Sequence, residues 1–122
     1  MSYGRQLPLC VKAAESLVGD GVDAEVIDLR TLAPYDWATV KASIEKTGRA
    51  LFVNEDTEIT NFGEHLARRT TDQLFYKLLA PPKVLAGKAV PGIGLADALE
   101  MASVPQESDI VHAMKSLASL EP

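Results

Sequence analysis

The stretch that decides the fold is Ala24-Glu25-Val26-Ile27-Asp28-Leu29-Arg30-Thr31-Leu32-Ala33-Pro34-Tyr35-Asp36. Its first half is short, rich in branched side chains and bounded by turn residues, which predicts a buried strand over residues 24–30. Residues 31–35 are predicted to form a loop, and Asp36 stands where the N-cap of a helix is expected. The stretch therefore predicts a strand, a corner and the start of a helix.

Helix and strand patterns alternate on both sides of this stretch. Apolar residues at three- and four-residue spacing predict helices over about 7–18, 37–47, 61–79 and 106–117, with one or two helical turns over 95–101. Short apolar runs predict strands over 50–53 and 83–86, and polar or glycine-containing segments predict loops over 54–60 and 90–94. Because such alternation is typical of parallel βαβ units, we predict one domain over 1–122, an α/β/α sandwich of three layers with a mostly parallel sheet.

The start of the chain departs from this pattern. The first predicted helix begins almost at once, and residues 1–3 are too short for a full strand, so we expect a truncated first strand. A sheet that lacks part of a strand presents unpaired backbone groups, which can pair with another chain. A homodimer in which two copies cover each other's sheet is one expectation.

Composition excludes several classes of protein. The 122 residues carry a formal net charge of −5, which argues against a nucleic-acid partner, since nucleic-acid binders present a basic face. No apolar run approaches the ~20 residues of a membrane span. Cys10 is the single cysteine. We expect it to be a core residue in a cytoplasmic protein without disulfides.

Few residues of the sequence have the types and spacings that are typical of a catalytic site. His65 and His112 are the only histidines, and no metal-ligand spacing, phosphate loop or nucleophile elbow occurs. His65 is the better functional candidate because it lies in the first turn of the helix over 61–79. That turn is near the carboxyl edge of the sheet, where open α/β sheets carry their sites. The acids of the preceding loop, among them Glu55, fit a solvated loop better than a cation site.

Two polar patterns are more specific. Asn61 and Glu64 match a capping box, in which Asn61 caps the helix and Glu64 reaches back to it. Asp28 and Arg30 fall on one side of the strand predicted to be buried. Because buried charges are retained only when they are paired, we expect Asp28 or Arg30 to be tied to backbone or to another charge at an interface.

The order of these motifs resembles the C-terminal domain of transketolase-like enzymes. Asp28 to Asp36 match its aspartate-leucine-arginine-threonine-leucine-x-proline-x-aspartate signature. The likeness is strongest to the β subunits of thiamine-dependent dehydrogenases of pyruvate or branched-chain 2-oxo acids. Further matches are Lys46–Arg49, Val53–Glu55, Asn61–Glu64, Ala80–Pro81, Val104–Pro105 and Asp109–Val111. Leu79 departs from the family, which commonly has an acid there, and the 2-oxo acid stays open.

The resemblance implies an assembly role without catalysis by this domain alone. In similar enzymes thiamine diphosphate and Mg²⁺ lie between the α subunit and the N-terminal domain of β, so no catalytic, cofactor or metal residue is expected here. The implied partners are the α subunit, the N-terminal part of β and the subunit-binding domain of the acyltransferase core. The residues expected at interfaces or in structural roles are Asp28, Arg30, Asp36, Glu55, Asn61, Gly63, Glu64 and His65.

An alternative is a stand-alone, flavodoxin-like module. It would bind a small anion at the helix N-terminus formed by Asn61 to Glu64, because the free amides of a first helical turn attract negative charge. Such a module could also be regulatory.

Overall fold

The computed structural model describes residues 1–89 and 103–121. Within them the regular elements are α1 (Gln6–Leu17), α2 (Trp37–Thr47), β1 (Leu51–Thr57), α3 (Phe62–Leu74), β2 (Lys83–Gly87) and α4 (Glu107–Ser119). Short 3-10 turns over Val18–Asp20 and Phe75–Lys77 follow α1 and α3. The predicted loop over 90–94 and the helical turns over 95–101 lie outside the described residues.

The sheet is parallel, as predicted. β1 pairs with β2, with Leu51 opposite Lys83 and Val53 opposite Leu85. On the other side of β1, Ser2 forms parallel bridges to both Val53 and Asp28. The spatial order is therefore the segment around Asp28, then residues 1–3, then β1, then β2. Residues 1–3 add one bridging residue to the sheet, in agreement with a short first strand.

The prediction of a buried strand over 24–30 is wrong. This segment makes one bridge, at Asp28, where the Ser2 amide donates to the Ile27 carbonyl and the Leu29 amide donates to the Ser2 carbonyl, both at 3.0 Å. Leu29 is its only buried residue. The physical reason is that a strand needs a neighbour along its length. Residues 24–26 extend past Met1 and have no backbone partner in the part of the chain that the structure describes.

The core is divided by the sheet into two clusters. Leu51 and Val53 of β1 pack with Cys10, Ile110 and Leu117, on the side of α1 and α4. The alternate residues Ala50 and Phe52 pack with Val40, Ile44 and Leu66, on the side of α2 and α3. Side chains alternate between the two faces of a strand, so helices cover both faces of the sheet and the predicted three layers are confirmed.

Two element boundaries differ from the prediction. β1 extends through the predicted polar loop to Thr57, since Thr57 lies opposite Gly87 and the Glu58 amide donates to the Gly87 carbonyl at 2.6 Å. α3 ends at Leu74 instead of continuing to about residue 79. The backbone is extended at Leu78, and Phe75 in the 3-10 turn after α3 is 60% exposed.

Candidate functional site

Five side chains form a cluster where the corner before α2 meets the first turns of α3. We call Tyr35, Trp37, Phe62, His65 and Arg69 the aromatic–arginine cluster. The Tyr35 ring lies edge-on to Phe62, with ring centroids 5.1 Å apart, and edge-on to His65 at 5.6 Å. The Arg69 guanidinium carbon stands 4.4 Å from the centroid of the Trp37 ring. His65 is exposed and the other four are half-buried.

Hydrogen bonds fix the polar atoms of the cluster. Arg69 Nη1 donates to the Tyr35 hydroxyl oxygen at 2.6 Å, and that hydroxyl lies 2.8 Å from His65 Nε2. The Tyr35 hydroxyl therefore accepts from Arg69 and also shares a hydrogen bond with the His65 ring. The Trp37 indole N–H donates to the Gln73 side chain at 3.2 Å. The arginine is held by a hydrogen bond and by aromatic faces, so its position is set before any partner arrives.

Local sequence explains how these side chains come to one place. Asp36 caps α2 as predicted, accepting from the Thr39 amide at 3.1 Å, and this places Tyr35 and Trp37 on either side of the helix start. The Thr39 hydroxyl and amide, which both donate to the Asp36 carboxylate, lower its pKa. On α3, Phe62, His65 and Arg69 recur at three- and four-residue spacing and so lie on one helix face.

The start of α3 is built largely as predicted. Asn61 Oδ1 accepts from the Glu64 amide at 3.0 Å and from Asn54 Nδ2 at 3.1 Å. Glu64 reaches back, but to the Thr60 amide, at 3.1 Å, instead of the cap residue itself. Because these side chains already occupy the helix N-terminus, the geometry does not favour the small-anion site of the alternative interpretation.

The remaining predicted site residues lie away from the cluster. Arg30 Nε donates to Asp28 Oδ2 at 3.1 Å and the Arg30 amide donates to Asp28 Oδ1 at 3.0 Å. The expected tie between these charges is thus present, but both residues are exposed, so the expectation of burial is wrong. Glu55 forms an exposed ion pair with Arg5, with the charged atoms 3.7 Å apart. Gly63 is buried beneath Asn54 and Asn61.

Four residues of the cluster, all except His65, are not among the site residues predicted from the sequence. Tyr35 and Trp37 flank the predicted N-cap of α2, Phe62 follows the predicted N-cap of α3, and Arg69 stands next to Arg68 in the sequence. Arg68 instead pairs with Asp72 at 2.5 Å, one turn along α3. The signal that separates the two arginines is the spacing from Phe62 and His65, which places Arg69, and not Arg68, on the face that meets Tyr35.

Neither a metal-ion cluster nor a membrane-spanning helix is found in the part of the chain that the structure describes. Among residues 1–89 and 103–121, no group of three or more histidine, cysteine or acidic side chains is placed to hold a metal ion. None of the helices that the structure describes is both long and apolar enough to cross a membrane.

Comparisons with known proteins show which family and which relatives the chain resembles. The family model described as "Transketolase, C-terminal domain" matches residues 1–110. The β subunit of the pyruvate dehydrogenase E1 component of Rhizobium meliloti (strain 1021) is 38% identical over 117 residues, covering 96% of this chain and 25% of that protein. The 2-oxoisovalerate dehydrogenase subunit beta of Bacillus subtilis (strain 168) is 33% identical over 118 residues, covering 97% and 36%.

A solved structure shows the same fold. A "split gene transketolase, inactive beta4 tetramer" superposes with a TM-score of 0.84 at 22% identity, covering 99% of this chain and 39% of that one. The chain spans only a quarter to a little over a third of the length of the two curated relatives. The chain is similar to the C-terminal part of 2-oxo acid dehydrogenase β subunits. Because the family model matches residues 1–110, the chain belongs to the transketolase C-terminal domain family.

Proposed function

We propose that the chain is the assembly domain of a 2-oxo acid dehydrogenase β subunit and catalyses nothing alone. It would act in oxidative decarboxylation of a 2-oxo acid only within the complete enzyme, in the cytoplasm. Its proposed partners are the α subunit, the N-terminal part of β and the subunit-binding domain of the acyltransferase core. Similarity to such β subunits along almost the whole chain supports this proposal.

The aromatic–arginine cluster is the observation that carries the proposed interface. Tryptophan, tyrosine and arginine are the residue types that contribute most to binding at protein interfaces. Here Arg69 stands over the rings of both Trp37 and Tyr35, and all three side chains keep solvent-accessible surface. An interface made of side chains that are already ordered has less conformational entropy to lose on binding. The cluster contains His65 and adjoins Asp36 and the Asn61 helix start, so several of the predicted interface residues lie in it or beside it.

The proposal assigns no cofactor residue to this chain. Thiamine diphosphate and Mg²⁺ would be held by the α subunit and the N-terminal part of β. Calorimetric titration of thiamine diphosphate with Mg²⁺ into this chain alone should give no heat of binding. Clear micromolar binding would show that the chain carries cofactor contacts, and the proposed division of roles would then be wrong.

The assembly role is tested by reconstitution. Mixing the chain with the cognate α subunit and the N-terminal part of β should give a complex in analytical ultracentrifugation. Arg69→Ala should weaken that assembly by about tenfold or more, as expected for an interface position of high energy. Failure of the unaltered chain to associate would contradict the proposal.

The matched control is Arg68→Ala. Arg68 is the neighbouring arginine on α3, and it pairs with Asp72 at the surface. Because exposed ion pairs contribute little, Arg68→Ala should assemble like the unaltered chain. Equal loss for both variants would indicate a general effect of charge and not recognition by the cluster.

A further inference from the structure

Arg69 of the aromatic–arginine cluster forms no ion pair in the part of the chain that the structure describes. A guanidinium has five N–H donors. One of them is used, in the hydrogen bond of 2.6 Å that Nη1 donates to the Tyr35 hydroxyl. The other four have no acceptor among residues 1–89 and 103–121. The half-buried Arg69 side chain therefore keeps most of its hydrogen-bonding capacity for a group that these residues do not supply.

The acids that flank the cluster in the sequence are engaged elsewhere. Asp36 accepts from an amide and a hydroxyl in the first turn of α2. Asp72 pairs with Arg68, and the Glu64 carboxylate reaches back to the loop before α3. Although the chain carries a formal net charge of −5, folding of the described residues leaves Arg69 without an acidic partner.

The orientation of the guanidinium is fixed by its neighbours. Its carbon lies 4.4 Å from the centroid of the Trp37 ring, so the indole covers one face. The Trp37 ring is held in turn by its N–H, which donates to Gln73 at 3.2 Å. With Nη1 bonded to Tyr35, the edge that carries Nε and Nη2 has no partner within the described ranges. Two parallel N–H groups on one edge of a guanidinium match the two oxygens of a carboxylate.

We propose that the aromatic–arginine cluster binds one carboxylate side chain, of a glutamate or an aspartate, that a partner subunit places against Arg69. The proposal rests on the assembly role given above, because it names the group that meets the same surface. A single guanidinium balances one negative charge, and the neighbouring Arg68 is paired with Asp72. A carboxylate therefore fits better than a phosphate group, which carries nearly two charges and is bound by clusters of arginine.

The surroundings of Arg69 favour a stronger ion pair than an exposed one. Exposed pairs contribute little, because both charges stay hydrated and two long side chains lose freedom when they meet. Arg69 is half-buried against Trp37 and is already ordered by Tyr35. Less side-chain entropy is thus lost when the carboxylate arrives, and the aromatic face supports the cation.

The test uses Trp37 as a reporter, because it is the only tryptophan of the sequence. A chain made with fluorotryptophan carries one fluorine, on the ring that covers Arg69, and its signal is followed by fluorine NMR. The probe is acetyl-alanyl-glutamyl-alanine amide, which has one carboxylate and no other charge. We expect a saturable shift with a Kd of roughly 1 mM. The peptide with glutamine in place of glutamate should bind about tenfold or more weakly, because it has no charge and no second acceptor oxygen.

Matched substitutions localise the site. Arg69→Lys keeps the charge but loses the parallel pair of donors, so it should bind the glutamate peptide about tenfold or more weakly. Arg68→Lys makes the same change at the adjacent surface arginine and should bind as the unaltered chain does. Circular dichroism of both variants confirms that each is folded.

The assembled enzyme shows whether a partner fills the site. When the α subunit and the N-terminal part of β are added, the fluorine signal should shift without peptide. The glutamate peptide should then cause no further shift, because a carboxylate of the partner already lies against Arg69.

Several outcomes would overturn the proposal. Equal binding of the glutamate and glutamine peptides, or of Arg69→Lys and the unaltered chain, would show that the cluster does not recognise a carboxylate through paired donors. A complex that forms while the signal still responds to the glutamate peptide would show that no partner carboxylate occupies the cluster, and the assembly role would stand. Absence of any complex would instead contradict the assembly role, on which the identity of the partner rests.

Discussion

At the level of single residues, close contacts and not backbone angles are the reason that position 63 requires glycine. A Cβ atom at this position would lie 2.8 Å from Asn54 Nδ2, 3.0 Å from Asn61 Oδ1 and 3.1 Å from a methyl group of Val84. We expect Gly63→Ala to lower the free energy of unfolding by about 1–3 kcal/mol, as overpacking in tight sites does. Urea denaturation followed by circular dichroism measures the change.

Gly19 is the matched control for that substitution. A Cβ atom at Gly19 would meet nothing within 4 Å. Gly19→Ala should therefore be neutral, or stabilise by roughly 0.4–1 kcal/mol through the lower entropy of the unfolded chain. If both substitutions have the same effect, the contacts around Gly63 do not constrain the start of α3.

Asn61 connects three backbone and side-chain groups at the start of α3. Its Oδ1 accepts from Glu64 and Asn54, and its Nδ2 donates to the Thr57 carbonyl at 2.8 Å. Asn61→Ala removes all three hydrogen bonds and should cost about 1–2 kcal/mol, the upper range for loss of an N-cap. Asn61→Asp keeps the two accepted bonds and should cost less. Equal losses in thermal unfolding would mean that the bond to Thr57 dominates.

At the level of elements, Arg49 joins the sheet to the end of α4. Its guanidinium donates to the carbonyls of Leu117, at 3.2 Å, and Leu120, at 2.8 Å. The last carbonyls of a helix have no partner within the helix. Arg49→Met keeps the apolar stem but loses these bonds, and it should cost about 1 kcal/mol. Faster amide exchange in the last turn of α4, with α2 unchanged, would identify the cause.

A surface ion pair on the same helix is the comparison for Arg49. Lys115 of α4 pairs with Asp20, with the charged atoms 3.3 Å apart and both side chains about half exposed. Lys115→Met should leave stability and exchange almost unchanged, because screened pairs contribute little. A loss as large as that of Arg49→Met would show that α4 is held by charge in general and not by hydrogen bonds to its final carbonyls.

Elements with local signals were predictable from the sequence, and those that depend on distant neighbours were not. α2 begins after its N-cap Asp36 and ends before Gly48, where φ is +71°. Both signals are adjacent in sequence to the helix that they delimit. The segment over 24–30 has the composition of a strand, but its pairing depends on residues 1–3. The aromatic–arginine cluster depends in the same way on packing between α3 and the corner before α2. Spacing within α3 shows which of its residues share a face, but not what that face meets.

At the level of the whole molecule, the buried Met1 amine should make stability depend on pH. Burial lowers its pKa in the folded state, whereas the unfolded amine titrates at roughly pH 8. Between these two values the unfolded state binds more protons, so the free energy of unfolding rises with pH up to roughly pH 8. Urea titrations at several pH values in this range should show the rise.

Acetylation of the Met1 amine provides the control for this pH dependence. The acetylated chain has no titratable group at that position, so its stability should rise less steeply over the same pH range. The difference between the two chains removes the contribution of titratable groups that do not interact with the Met1 amine. Identical slopes would contradict a lowered pKa at Met1.

The double bridge of Ser2 has a consequence for the order in which the protein opens. The Leu29 amide donates to the Ser2 carbonyl at 3.0 Å and the Val53 amide donates to the Met1 carbonyl at 2.9 Å. Release of residues 1–2 alone would free both amides, whereas the Lys83 amide, which donates to Ala50, would stay bonded. Local openings of this kind need less free energy than global unfolding. Leu29 and Val53, distant in sequence and on different segments, should therefore lose their protons to solvent in a single event that leaves β1 and β2 joined.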